Sequence, residues 1–291
     1  MADNHSIRWM ITGADGMLGN DLADRLASQG YDVVALTKGH LDITDRKRVL
    51  ETARQLDPHI IVNCAAYTKV DDCEANLETA NLVNGTAVGH LAEAANEEDA
   101  LLVQVSTDFV FDGSSTRPYE PDAPTAPLSA YGVSKLLGEK EAELAKKHLI
   151  VRAAWLFGRN GHNFVEAIRK QVESGKTELR VVNDQRGCPT YTPHLAEAIE
   201  ALGREAAEHR SARGVAHYAD APECSWYDFA IEIVRRLRPD GGITVRPVTT
   251  DEFPRPARRP AYSVLSTRRY EKITGKTPAS WKDGLEKYLH V

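Results

Sequence analysis

Cysteine is scarce in this sequence, and its spacing does not suit a metal site. The 291-residue chain has four cysteines, Cys64, Cys73, Cys188 and Cys224, with no C-x-x-C pair among them. Their positions relative to the ten histidines do not match metal-ligand spacing either. A disulfide framework and a zinc-finger type of site are therefore excluded, and reduced thiols in the cytoplasm are expected.

Long apolar runs and an excess of basic charge are also absent. No apolar stretch approaches the roughly 20 residues that a membrane-spanning helix needs, and the first ten residues contain no apolar core of the signal-peptide type. Acidic residues outnumber basic ones by 42 to 36, which gives a net charge of −6. We therefore expect a cytoplasmic protein with neither membrane nor nucleic-acid partners.

The first half of the sequence alternates short apolar runs with amphipathic segments. The predicted strands and helices, in order, are Ile7–Thr12, Met17–Gln29, Asp32–Leu36, Lys47–Leu56, Ile60–Ala65, Thr79–Glu97, Leu101–Ser106, Tyr131–Lys146 and Leu149–Phe157. This alternation predicts an α/β fold with a Rossmann-like, doubly wound parallel sheet. The continuous apolar run at 60–62 is typical of a strand that is buried on both faces.

The regular alternation of strands and helices ends after Phe157, and shorter predicted segments follow. These are predicted at Phe164–Glu173, Leu179–Val182, His194–Arg204, Gly214–Ala219, Trp226–Leu237, Ile243–Val248 and Ser280–Leu289. Because the segments at 194–204 and 214–219 can extend the parallel sheet, we expect a smaller C-terminal substrate lobe interleaved with the first domain. Residues 1–157 and about 190–221 are assigned to a dinucleotide-binding domain, and about 158–189 and 222–291 to the substrate lobe.

A G-x-x-G-x-x-G pattern joins the first predicted strand to the first helix. Gly13 suits the tight turn, Gly16 the close approach of a pyrophosphate to the backbone, and Gly19 the packing of helix on sheet. The anion then lies on the free amides of a helix N-terminus. Glycines also mark ordinary turns, but the position of the pattern after the first strand favours dinucleotide binding.

The end of the second strand bears on which dinucleotide is bound. A carboxylate is expected there when NAD is strongly preferred, and the sequence has Leu36, Thr37 and Lys38 instead. Lys38 is suited to a 2′-phosphate, although a solvated surface lysine is the alternative. We predict that NADP(H) is preferred and that NAD(H) is possible.

Tyr131 and Lys135 are the candidate acid–base pair. Their spacing of four places a phenol and an ammonium on one face of a helix, and a nearby cation is expected to lower the tyrosine pKa from about 10. An ordinary amphipathic helix is the alternative. Thr107 ends the fourth strand, and functional groups gather at the carboxyl ends of parallel strands. Thr107 is therefore predicted to hydrogen-bond a carbonyl oxygen that Tyr131 protonates.

These motifs, with others along the chain, resemble the dTDP-4-dehydrorhamnose reductase family of the extended short-chain dehydrogenase/reductases. The resemblance covers almost the whole length. Besides the glycine turn and the Tyr131/Lys135 pair, it is carried by residues 41–44 (LDIT), 63–71 (NCAAYTKVD), 84–86 (NGT), 106–113 (STDFVFDG), 184–190 (DQRGCPT) and 256–260 (PARRP).

The resemblance implies reduction of the C4 ketone of dTDP-4-dehydro-L-rhamnose by NAD(P)H. In this reaction Tyr131 donates the proton and Thr107 polarises the carbonyl. Lys135 lowers the pKa of Tyr131 and holds the nicotinamide ribose. The other implied contacts are Gly16, Met17 and Leu18 with pyrophosphate, Asp42 and Ile43 with adenine, Ala65, Ala66 and Tyr67 along the cofactor, Asp108 and Trp155 with the sugar, and Arg258 and Arg259 with the diphosphate. A plain core role for Trp155, and a solvated basic run for the two arginines, are the alternatives.

Two departures from the family pattern affect these expectations. Phe109 stands where the family has tyrosine, so one hydroxyl near the sugar is missing. Some members bind Mg²⁺ through a glutamate a few residues after Pro-Thr, whereas Pro189-Thr190 is followed here by residues 191–194 (YTPH), which contain no carboxylate. We predict no metal requirement, and either a monomer or a homodimer.

Two alternative functions stay open from the sequence. A related nucleotide-sugar reductase or epimerase acting on another sugar is one, and the Phe109 change supports it. The other is a non-catalytic regulatory subunit resembling the β subunit of methionine adenosyltransferase. An intact set of Thr107, Tyr131 and Lys135 argues against the second, because a binding module has no chemical need for all three.

Overall fold

The first half of the chain alternates strands and helices in the computed structural model, which describes residues 7–290. Its elements are β1 (Arg8–Thr12), α1 (Met17–Ser28), β2 (Asp32–Leu36), α2 (Arg46–Leu56), β3 (Ile60–Asn63), α3 (Val70–Ala75), α4 (Leu77–Asn81), a π-helical turn (Leu82–Thr86), α5 (Ala87–Glu97), β4 (Leu101–Thr107), α6 (Ala130–Ala142) and β5 (His148–Ala153). The first six residues, on which part of the signal-peptide expectation rests, lie outside the described residues.

The second half contains shorter elements. They are β6 (Leu156–Phe157), α7 (Phe164–Glu173), β7 (Glu178–Val182), β8 (Arg186–Gly187), β9 (Thr190–Tyr191), α8 (Thr192–Glu208), β10 (Gly214–Tyr218), β11 (Cys224–Ser225), α9 (Trp226–Leu237), β12 (Thr244–Val248), α10 (Arg268–Thr274) and α11 (Trp281–Leu289). The helices at 164–173 and 226–237 have the predicted limits, whereas α3, α10 and the two-residue strands β8, β9 and β11 were not predicted.

Six parallel strands form the central sheet, in the spatial order β2, β1, β3, β4, β5, β10. The Rossmann-like, doubly wound α/β fold is therefore confirmed. The chain passes from β1 outward to β2 and then returns to β3 on the other side of β1. The carboxyl ends of β1 and β3 consequently flank the crevice in which sheets of this type bind ligands.

Each face of the sheet is covered by helices. On one face, α1 and α8 pack together, and their core includes Trp9, Ile60 and Val62. On the other, α2, α5 and α6 pack over a second core that includes Ile61. Alternate residues of β3 thus enter opposite cores, which explains why its sequence is apolar without interruption.

A third apolar core belongs to the second half of the chain. It gathers α7, α9 and α11 around Phe157 and Phe229, beside the separate parallel pair of β7 and β12. β10 meanwhile pairs with β5 in the main sheet. The domain limits predicted from the sequence stay a prediction.

The long helix predicted at Thr79–Glu97 is wrong, because a π-helical turn separates α4 from α5. A Cβ on Gly85 would lie 2.4 Å from the side chain of Leu137 in α6, so the glycine permits close packing at this turn. π turns interrupt helices frequently at functional sites. The turn positions Asn84, whose contacts are described below.

The strand predicted at Leu149–Phe157 is also wrong, because it divides into β5 and β6. Trp155 between them has a φ of +49°, a left-handed conformation that is rare and strained for a bulky residue. The chain leaves the main sheet there, and β6 pairs with β9 instead.

Replacing Ile61 by alanine is expected to destabilise the fold by about 2–5 kcal/mol, because Ile61 is fully buried between the sheet and α5. Chemical denaturation measures this free energy of unfolding. The matched control is Ile231→Ala on α9, where the side chain is 39% exposed and the change is expected to stay within about 0.5 kcal/mol. Equal losses in the two variants would contradict the assigned core.

Candidate active site

The predicted glycine turn lies between β1 and α1. Gly13 has a φ of +68°, and a Cβ on it would lie 2.5 Å from the backbone nitrogen of Ala65. A Cβ on Gly19 would lie 2.2 Å from the Gly13 carbonyl oxygen, whereas one on Gly16 would meet nothing nearer than 3.4 Å. The first and last glycines are therefore needed to close the turn itself, and the middle one borders open space.

The N-terminus of α1 is not capped by a side chain. The amides of Met17, Leu18 and Gly19 open the helix and have no carbonyl partner within it. Such amides carry partial positive charge and bind anions readily. Met17 and Leu18, two of the residues predicted to contact pyrophosphate, thus have amide donors that a ligand can accept from, whereas the Gly16 amide donates to the Gly13 carbonyl.

The end of β2 carries Lys38 and, four residues on, Asp42. The Lys38 side chain is 80% exposed, and its ammonium lies 3.9 Å from the Asp42 carboxylate. Asp42 accepts hydrogen bonds from the side chain and backbone of Thr44 at 2.7 and 3.0 Å, and these lower its pKa. The adjacent Ile43 is buried. Lys38 is therefore accessible to a ligand, while Asp42 mainly stabilises its own turn.

The loop after β3 contains Ala65, Ala66 and Tyr67, and Asn84 fixes it to α6. The Asn84 amide accepts from the Tyr67 backbone nitrogen at 2.7 Å and donates to the Tyr67 carbonyl and the Ser134 hydroxyl, both at 3.0 Å. Sequence reasoning gave Asn84 no role. The signal that could have found it is an Asn-Gly pair inside a predicted helix.

Tyr131 and Lys135 lie on α6, which begins after Ser129. The Ser129 hydroxyl caps this helix by accepting from the Gly132 amide at 3.2 Å. Lys135 is buried, and its Nζ donates to the Val105 carbonyl of β4 at 2.7 Å. Burial lowers the pKa of Lys135 to about 8. The helix thus brings an ammonium to the carboxyl end of β4, as predicted.

The predicted lowering of the Tyr131 pKa is wrong for the chain by itself. Burial raises this pKa well above its usual value, and the Asp108 carboxylate raises it further, while the nearby Thr107 hydroxyl lowers it. Desolvation disfavours the phenolate more strongly than nearby dipoles favour it. Tyr131 therefore keeps its proton over the whole neutral range.

Thr107 and Asp108 form a second polar pair at the end of β4. The Thr107 hydroxyl donates to Asp108 Oδ1 at 3.0 Å and accepts from the Phe109 amide at 3.2 Å. Asp108 is 1% exposed, and its Oδ2 has no hydrogen-bond partner among the described residues. Burial raises the pKa of Asp108 to about 6. An orphaned carboxylate oxygen of this kind needs a ligand, water or proton to satisfy it.

A cavity of about 290 Å³ opens beside this pair. Its aromatic wall and its polar side chains come largely from the second half of the chain. The principal lining residues are Phe109, Trp155, Phe164, Trp226, Phe253, Arg180, Gln185, Arg255 and Arg259. Of the two arginines predicted to meet a diphosphate, Arg259 lines the cavity, whereas Arg258 is exposed and does not.

Arg259 is held by a carboxylate from the first half of the chain. Its guanidinium makes two hydrogen bonds of 3.0 Å to the two oxygens of Asp71 at the start of α3. A planar guanidinium fixed in this way can still direct its remaining donors to a second acceptor. Sequence reasoning missed Asp71, Arg180 and Arg255, because they converge only in the folded chain.

Trp155 lines the cavity, so its role is not only that of a core residue. Its indole stacks on Trp226 with centroids 3.5 Å apart and planes at 6°. A Cβ on Gly187 would lie 2.4 Å from the indole, so glycine is needed beneath it. The strained backbone of Trp155 is therefore supported from both sides of the ring.

Phe109 connects the cavity to the acid–base pair. It lines the cavity, and its ring contacts Tyr131 edge to face at a centroid distance of 5.5 Å. The absent hydroxyl at this position thus leaves an apolar edge next to the phenol. Phe109 therefore contacts Thr107 and Tyr131 and lines the same cavity as Trp155 and Arg259.

Residues 7–290 contain no group of three or more histidine, cysteine or acidic side chains arranged to hold a metal ion. The same residues include no helix with the length and apolar content of a membrane span. The absence of a metal requirement stays a prediction.

Known proteins resemble this chain over nearly its full length. The family model described as RmlD substrate binding domain matches residues 7–291. The dTDP-4-dehydrorhamnose reductase of Streptomyces griseus is 42% identical over 96% of this chain and 91% of its own. The "Probable dTDP-4,6-dihydroxy-2-methyloxan-3-one 4-ketoreductase" of Streptomyces antibioticus is 44% identical over 96% and 93%.

Solved structures agree with the sequence comparison. The crystal structure of dTDP-4-dehydrorhamnose reductase from Bacillus anthracis in complex with NADP superposes with a TM-score of 0.90. It is 37% identical, and the match covers 98% of this chain and 99% of that one.

Gly16→Val is expected to weaken NADPH binding by at least about tenfold, or 1.4 kcal/mol. Thermal stability should stay unchanged, because a Cβ here meets nothing nearer than the Gly13 carbonyl oxygen at 3.4 Å. Fluorescence titration and thermal unfolding measure the two effects. Gly19→Val is the control, and it should lower stability as well, since its Cβ would strike Gly13. Unaltered NADPH affinity in the Gly16 variant would contradict the assignment of this turn to NADPH binding.

Proposed function

The chain belongs to the dTDP-4-dehydrorhamnose reductase family, and we propose that it reduces the C4 ketone of dTDP-4-dehydro-L-rhamnose with NADPH, giving dTDP-L-rhamnose. The observation that carries this proposal is the position of Tyr131. Its ring contacts Phe109, which lines the aromatic and cationic cavity. It also lies on the same face of α6 as Lys135, whose ammonium is buried.

The glycine turn fits a dinucleotide. The uncapped amides of Met17, Leu18 and Gly19, with open space at Gly16, would hold the pyrophosphate. Lys38 would meet the 2′-phosphate, and Lys135 the nicotinamide ribose. When bound, the reduced nicotinamide supplies the hydride that C4 of the sugar receives.

Tyr131 supplies the proton. Because burial keeps its pKa high, the phenol stays protonated until negative charge develops on the ketone oxygen, which is then the stronger base. The Lys135 ammonium stabilises the phenolate that remains. The Thr107 hydroxyl lies between Asp108 and Tyr131, and orients the phenol and the carbonyl oxygen.

The cavity supports a nucleoside-diphosphate substrate. Its aromatic wall of Phe164, Trp155 and Trp226 offers flat apolar surface, and Arg180, Arg255 and Arg259 offer forked donors to a diphosphate. Asp108, with an unsatisfied buried oxygen, can accept a hydrogen bond from a sugar hydroxyl. Arg258 is not part of this proposal.

A second candidate is reduction of a different dTDP-4-keto sugar. The Streptomyces antibioticus relative, named as a ketoreductase of such a sugar, is about as similar as the rhamnose-forming relative. Phe109 favours it too, since an apolar edge next to Tyr131 suits a sugar that lacks a polar group there. Comparing the specificity constants for the two substrates separates the candidates.

The cellular setting is proposed on the same basis. We place the protein in the cytoplasm, where nucleotide sugars are made. Monomer or homodimer, and activity without a metal ion, stay predictions.

Tyr131→Phe should lower turnover by about 10²–10⁴-fold, because the proton donor is lost while the ring remains. Oxidation of NADPH with dTDP-4-dehydro-L-rhamnose measures this, and NADPH affinity should stay near that of the unmodified protein. Tyr31→Phe is the control, since that buried tyrosine bonds Glu200 on the far side of the sheet. Full activity in the Tyr131 variant would refute the proposal.

Lys38→Ala is expected to weaken NADPH binding by several fold and to leave NADH binding nearly unchanged, because only the former carries the 2′-phosphate. The matched control is Lys47→Ala on α2, an 82% exposed lysine that also lies near a carboxylate four residues on. Equal losses for both cofactors would exclude Lys38 from phosphate recognition.

A further inference from the structure

A buried ion pair lies one helical turn beyond Lys135, and the mechanism above does not use it. The carboxylate of Glu139 on α6 accepts two hydrogen bonds from the guanidinium of Arg152 on β5, at 2.8 and 2.7 Å. The two side chains are 4% and 5% exposed. The Ser106 hydroxyl donates to the same carboxylate at 2.5 Å. Neither charged residue lines the cavity.

Stability alone is a weak reason for such a pair. Taking two charges out of water is costly, and apolar residues of similar volume often stabilise a fold equally well. Arg152 also lies within 5.0 Å of the Phe111 ring centre and 3.3 Å from His217, whose pKa burial lowers to about 3. His217 is therefore neutral, and Glu139 is the carboxylate that balances Arg152.

The position of Glu139 relative to Lys135 suggests a second role. Tyr131, Lys135 and Glu139 follow at intervals of four on α6, so they share one face. Lys135 bonds the Val105 carbonyl, and Glu139 bonds the side chain of the next residue on β4. Consecutive residues of β4 thus bind the ammonium and the carboxylate.

The charge on Lys135 depends on this neighbour. Burial lowers the Lys135 pKa to about 8, and Glu139 is the first group that opposes this shift. Cys64, just after β3, acts on the same ammonium, but burial raises its pKa to about 12, so the thiol is neutral. Tyr131 keeps its proton as well. Glu139 is therefore the charged group that supports the ammonium.

We propose that Glu139, fixed by Arg152 and Ser106, is a positioning residue that keeps the Lys135 ammonium charged at the pH of turnover, on the face of α6 that also carries Tyr131. The proposal rests on the proposed function, because it is the reductase reaction that needs this ammonium.

Glu139→Gln tests the proposal directly. Lysine labelled with ¹³C at Cε, with Lys135→Met to assign the signal, reports the Lys135 pKa by NMR. Loss of an opposite charge should lower it by about one to three units. The kcat/KM with NADPH should stay near that of the unmodified protein at pH 5, where Lys135 is charged in both proteins. It should fall as the pH rises through the lowered pKa, to about one fifth or less of the unmodified value by pH 8.

Two further variants complete the experiment. Glu200→Gln is the matched control, because Glu200 pairs with Arg25 at 2.7 Å in a similarly sheltered position on α8, and its loss should leave the Lys135 pKa and the pH profile unchanged. Glu139→Asp retains the charge but withdraws it by one methylene. It should shift the pKa in the same direction by less than the glutamine variant, and it provides the measurement if that variant fails to fold.

The outcomes separate this inference from the proposed function. An unchanged Lys135 pKa in folded Glu139→Gln, or an equal loss of activity at every pH, would overturn the positioning role. If the unmodified protein does not reduce the keto sugar while the NMR shift is observed, the proposed function fails and the electrostatic coupling stands.

Discussion

The structure depends on how closely helix α6 approaches the carboxyl end of strand β4. Gly132 allows this approach, since a Cβ on it would lie 2.3 Å from the carbonyl of Phe109, just after β4. Gly138 allows α6 to pack on the π turn, since a Cβ on it would lie 2.0 Å from the Asn84 carbonyl. The approach places the Lys135 ammonium on the Val105 carbonyl. It also brings Tyr131 against Phe109. A helix farther from the sheet would leave the phenol and the ammonium in water.

Burial then sets the protonation states of the site. It raises the pKa of Tyr131, lowers that of Lys135 to about 8 and raises that of Asp108 to about 6. Each shift has the same cause, the loss of hydration around a charged form. Two of these groups therefore titrate near neutral pH, where small changes in their surroundings have large effects. This is why a buried neighbour such as Glu139 can matter for a reaction that it does not touch.

The second half of the chain contributes recognition. Its short strands and helices surround the cavity with aromatic rings and arginines, and Asp71 from the first half secures Arg259. Trp155 shows the cost of this arrangement, since its backbone is left-handed and its ring needs Gly187 beneath it. Strain of this kind is retained where the surrounding structure fixes a functional side chain.

The sequence by itself determined the strand–helix alternation, the glycine turn and the Tyr131/Lys135 spacing, because these depend on local periodicity and on residues close together in the chain. It did not determine the π turn that presents Asn84, the exposure of Arg258 or the arginines that share the cavity with Arg259. It also gave the wrong direction for the Tyr131 pKa. Those features were decided only by tertiary structure, because burial and contacts between distant segments have no linear pattern.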